Sequence, residues 1–287
     1  MAGRYAAVLH TCGRALTKIF VKFSEDDGPL LASGLAFAIL LFCIPFSLLL
    51  VMALEVALGD PHRALVALQA ILTEFLPLSR EAFTKNLETA IENRGLVGVL
   101  GFSMFFLMSS LIFGSVRAAL NTVFQVPRPS SFLKATATDV LVMLLASGLL
   151  LLMVALTSLF TLARGAVERG PHLEALIGPG WVFASDVLGF LFTFALLYLV
   201  YRFCPSQCLQ RPALFVAAFA GAALFELSKW AYAWYVELSQ KNIVVYGAVG
   251  DLFFFFVWIY YACAVVILGA ETGWVVQETL QASEEDF

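Results

Sequence analysis

Ala213 to Val236 reads ALFVAAFAGAALFELSKWAYAWYV, and Asp251 to Glu271 reads DLFFFFVWIYYACAVVILGAE. Both segments are long and oily enough to cross a bilayer core of about 30 Å at about 1.5 Å per residue. Each nevertheless carries charge: Glu226 and Lys229 in the middle of the first, Asp251 and Glu271 at the ends of the second. An ionisable group at membrane depth is costly, so it faces protein, water or a partner charge. Glu226 and Lys229 are three residues apart, on neighbouring positions of one helix face. The stretch predicts an all-α, polytopic membrane protein with a polar interior.

Composition agrees. Hydrophobic residues make up 61% of the chain and charged ones 13%, against about 25% charged in soluble domains. Mean hydropathy is +0.89. A net charge of −4 gives no footprint for nucleic acid. Cys204 and Cys208 form a CxxxC, but no second pair or neighbouring His completes a metal set, so reduced loop thiols are the reading. His10, His62 and His172 stand on separate segments, and no GxxxxGK[ST] loop is present to cradle phosphates. No metal, cofactor or enzymatic activity is expected.

Working outward, six spans are expected at about 30–56, 95–117, 139–163, 180–201, 213–236 and 246–271, in a single membrane domain. Arg14, Lys18 and Lys22 interrupt the apolar run that a signal peptide needs. They recur every fourth position on one stripe, with Val8, Cys12, Ala15, Ile19 and Phe23 on another. Residues 1–28 therefore form an N-terminal amphipathic helix, lying along an anionic leaflet or docked on the rest of the protein. Pro45 interrupts the first span and is a candidate hinge. Leu65, Leu68, Leu72, Phe75 and Leu76 give the connection from Gly59 to Arg94 a helical pattern, a helical first extracytoplasmic loop. Gly95, Gly98, Gly101, Ser109, Ser110 and Gly114 suit close backbone approach in the second span, and dimerisation there has composition as its support. The run Phe253–Phe256 with Trp258, Tyr260 and Tyr261 reads mostly as lipid-facing bulk, and residues 272–287 as a short, frayed acidic tail. Basic residues near span ends favour both termini in the cytoplasm.

Three stretches resemble the YihY/BrkB family of bacterial inner-membrane proteins: RAALNTVFQV after the second span, FELSKWAYAWYV, and VVYGAVGDLFFFFVWIYYACAVVILGAE. The LASGLAFAILLFCIPFSLLL segment fits the family's first span, with Phe37 where a tyrosine is usual. The resemblance runs from about Phe20 to Gln277. It implies a six-helix inner-membrane protein with transport or lipid-related roles suggested. The "ribonuclease BN" label that some members carry looks like a mis-assignment.

Arg117, Asn121, Glu226, Lys229, Tyr246, Asp251 and Glu271 are the candidate residues of a polar cavity lined by the second, fifth and sixth spans. Such a cavity would move or hold an amphipathic anionic molecule, a membrane lipid first of all. Lys229 and Arg117 would contact the headgroup, with Glu226 or Glu271 as balancing or protonatable charges. The plainer readings are an internal Glu226–Lys229 salt bridge, Glu271 paired with Arg117 or Arg202, and Asn121 as a helix cap. A non-transporting scaffold, recruiting partners through the amphipathic start and the Gly59–Arg94 connection, is the alternative from another class.

Overall fold

The structure, a computed structural model, describes residues 15–58, 94–126, 137–146, 148–149, 152, 171–243 and 247–285. Seven α-helices and no strand occur among these described residues. They are α1 (Ala15–Glu25), α2 (Gly28–Leu58), α3 (Arg94–Val123) and α4 (Ala137–Ala146). The remaining three are α5 (Pro171–Phe203), α6 (Arg211–Ile243) and α7 (Gly247–Glu285). Among the described residues four segments are long and apolar enough to cross a membrane: Gly101–Val123, Asp186–Phe203, Arg211–Tyr235 and Phe253–Ala282. A fifth is added if α1 and the first part of α2 count as one broken span. The expected helical connection between Gly59 and Arg94, most of the span at 139–163, and Tyr246 lie outside the described residues.

Two helices stop at a left-handed residue that is not glycine. Asp27 (φ 55°) follows α1 and Gln125 (φ 49°) follows α3. At the second stop the Gln125 N–H donates to the Thr122 carbonyl at 3.0 Å and the Val126 N–H to the Asn121 carbonyl at 2.9 Å. That pair of bonds is the Schellman arrangement, which satisfies carbonyls the helix leaves open. Pro29 sits in the first turn of α2, where its missing N–H costs nothing. Pro45 lies inside the same helix.

Packing divides the chain into two compact units. The first comprises residues 1–27, 120–227 and 265–287; the second, 28–119 and 228–264. In the first unit α6 and α7 approach through glycine. A Cβ added to Gly269 would stand 2.6 Å from Tyr201 Oη and 2.8 Å from the Gly221 Cα. One added to Gly273 would stand 2.5 Å from the Ala217 Cβ. Tyr201 is fully buried and donates its hydroxyl to the Val266 carbonyl at 2.6 Å, tying α5 to α7. Gly114, one of the small residues expected to mediate close approach in the second span, has nothing within 4 Å of such a Cβ. The tight seam is therefore on α6 and α7, where glycine and alanine face each other.

The second unit is held by aromatic pairs. Phe42 of α2 lies 5.2 Å from Phe105 of α3. Tyr232 and Tyr235 of α6 meet Trp258 and Phe254 of α7 at 4.7 and 5.4 Å. The aromatic run of α7 is thus divided by helical phase: Phe254 is buried while Phe253, Phe256 and Tyr261 are exposed. α7 also continues to Glu285, so most of the expected frayed tail is helix.

Candidate functional site

α1 carries Lys18 and Lys22 one turn apart, and α7 carries Glu271 and Glu278 two turns apart, so each pair occupies one stripe. The two stripes meet head to tail. Lys18 Nζ lies 3.0 Å from Glu278 Oε2 at the surface, and Lys22 Nζ lies 2.7 Å from Glu271 Oε2 in the interior. The reversed order of the pairs makes the two helices antiparallel. Spacing alone leaves open whether this basic face meets the leaflet or the protein. For residues 15–25 it meets the protein, and Leu16, Phe20 and Val21 are exposed instead.

The inner pair is a built cluster. Lys22 is 8% exposed and Glu271 0%. The Lys22 ammonium donates to Asp26 Oδ2, to Glu271 Oε2, and to the Val123 carbonyl at 2.9 Å. An ammonium has three N–H groups, and here all three are taken. Val123 ends α3, so its carbonyl is among those without a partner inside the helix, and a cation there also suits the helix dipole. The Trp274 ring, one turn beyond Glu271, lies with its centroid 5.6 Å from Nζ. Glu271 Oε1 is buried and has no hydrogen-bond partner among the described residues. The cation on Glu271 is therefore Lys22, where spacing alone suggests Arg117 or Arg202.

Asn121 has a separate task. Its Oδ1 accepts from the Ser206 N–H at 2.9 Å, and its Nδ2 donates to Ser206 Oγ at 3.3 Å. This pair of hydrogen bonds pins the end of α3 to the segment between α5 and α6. Gln277 Oε1 accepts from the Gln210 N–H at 2.9 Å and holds the far end of the same segment to α7. Cys204 in that segment is buried, and the Cys208 thiol donates to the Arg202 carbonyl at 3.0 Å.

Of the other candidates, Glu226 belongs to the first unit and Arg117, Lys229 and Asp251 to the second. Glu226, Lys229 and Arg117 are half-buried. Beside Lys229 on α6, Trp230 is 75% exposed and Trp234 67%. Lys22 is the residue that sequence reasoning missed as an interior charge. Its available signal was the carboxylate of Asp26 one turn on, at the point where α1 ends.

Comparison with known proteins agrees with this architecture. A family model described as "Virulence factor BrkB" matches residues 19–287. A "UPF0761 membrane protein" of Pseudoalteromonas atlantica is 26% identical, over 94% of this chain and 89% of its own length. One of Chromohalobacter salexigens is 30% identical over 90% of this chain and 62% of its own. One of Chlorobium limicola is 27% identical over 95% of this chain. The chain spans 60% of that last relative's length. No solved structure matches.

Proposed function

The chain belongs to the BrkB family of helical membrane proteins, and from that premise we propose that it binds or transports an amphipathic anionic molecule, a membrane lipid. The observation that carries this reading is the stretch of α6 where Lys229 lies beside two strongly exposed indoles, Trp230 and Trp234. Indole and ammonium side chains together suit the level of lipid headgroups, where an aromatic body is solvated by the interface and a cation meets phosphate. In this reading Lys229 and Arg117 contact the headgroup, with Glu226 as a balancing charge, while Asn121 and Glu271 hold elements of the first unit together. Tyr246 and Asp251 stay candidate lining residues and Pro45 a candidate hinge. The protein sits in the bacterial inner membrane with both termini in the cytoplasm, and works without enzymatic turnover. The Lys18 and Lys22 stripe, engaged by α7, leaves less of the amphipathic start for a scaffold's partner.

Reconstitution in liposomes containing labelled anionic lipid tests the proposal. Wild type is expected to bind or scramble the lipid, and Lys229→Ala to reduce the effect severalfold. Equal behaviour of the two proteins, or no effect from wild type, counts against the assignment.

A further inference from the structure

We propose that Glu271 is an exchangeable proton site, and that its charge is what latches α1 onto α7. This goes beyond the lipid reading and stands or falls without it. Lys22 brings one positive charge to two carboxylates, Asp26 and Glu271. Among the described residues, the charged groups of the cluster are Lys22, bonded to Glu271, and Asp26, bonded to the same ammonium. α3 presents a backbone carbonyl, that of Val123, to the cluster, and α7 itself presents the neutral ring of Trp274. With both acids ionised the cluster keeps one surplus negative charge.

Geometry decides which acid carries the surplus. The Asp26 side chain retains 16% exposure, whereas that of Glu271 has none. Among the described residues Glu271 Oε1 also lacks a hydrogen-bond donor, and an ionised oxygen sealed from water without a donor is far costlier than a neutral carboxyl. A proton passed from hydronium in the solvent to Oε1, leaving water behind as the carboxyl O–H forms, brings the cluster from minus one to neutral. Lys22 then keeps Asp26 on its own helical turn and the Val123 carbonyl, but loses its charged partner on α7. The tie between α1 and α7 weakens as the proton binds.

Infrared difference spectra of the full chain in lipid nanodiscs, taken between mildly alkaline and mildly acidic pH, test the site directly. Wild type is expected to gain a protonated-carboxyl band on acidification that Glu271→Gln loses, Glu271→Asp shifts and Asp26→Asn retains. At one fixed pH, amides of residues 15–25 are expected to exchange hydrogen about fivefold faster in Glu271→Gln than in wild type. Coincident carboxyl spectra for wild type and Glu271→Gln overturn the proton site. Unchanged exchange in α1 overturns the latch. If Glu271→Gln does not fold, the wild-type band and its shift in Glu271→Asp decide the question.

Discussion

Lys22 gives each of its N–H groups an acceptor, and the cost of removing it follows from what is left behind. At a pH where Glu271 is ionised, loss of the ammonium leaves a buried carboxylate without its Lys22 counter-charge, which typically costs about 3–5 kcal/mol. Lys22→Met is expected to lower stability by about that amount, measured as a shift in detergent-solubilised unfolding. Adding Glu271→Leu should recover most of the loss, because the double variant replaces a charge pair by packing. At the other end of the same neighbourhood, Gln125 holds a positive φ that glycine adopts without strain. Gln125→Gly is expected to stabilise by up to about 1 kcal/mol, and a lower unfolding temperature would contradict it. Little of this was legible in the sequence. Glu271 stood out as an acid in an oily span, but its partner lies 249 residues away, and periodicity gives the stripe on α1 without saying which side turns inward. The local clue, Lys22 and Asp26 four residues apart, resembles any surface pair.

At the scale of helices, the α6–α7 seam separates two opposed effects of the same substitution. Alanine in a helix interior gains about 1 kcal/mol over glycine, provided the methyl has room. At Gly269 the methyl would meet the Gly221 Cα at 2.8 Å and the Ala217 carbonyl at 3.2 Å, and backbone gives way poorly. Overpacking of that kind costs about 1–3 kcal/mol, so Gly269→Ala is expected to destabilise. Gly114→Ala, in open space on α3, should do the reverse by up to about 1 kcal/mol. Thermal unfolding of the two variants side by side checks the signs. Hydropathy marks the helices well because a bilayer needs about twenty apolar residues in a row. It misjudges where α7 ends, because beyond Glu271 the helix is amphipathic rather than uniformly oily. Trp274 lies at the Lys22 cluster there, while Gln277 and Glu278 hold neighbouring elements.

Across the whole molecule, composition alone indicates the solvent, since a chain with 13% charged residues needs lipid to cover its surface. What composition hides is the sidedness of α1. Its basic residues turn to protein, and Phe20 is left 61% exposed. Single cysteines introduced at Leu16 or Phe20 are expected to react with a lipid-dissolved label, and one at Lys18 with a water-borne one. The opposite pattern would mean that the exposed apolar side of α1, with Leu16 and Phe20, faces water and not lipid. The head-to-tail pairing of α1 and α7 also has a consequence for biogenesis. At about 5–20 residues per second, α1 leaves the ribosome roughly ten seconds to a minute before the helix that neutralises it. Until α7 follows, the lysines of α1 have water and phospholipid phosphates as partners in place of Glu271 and Glu278.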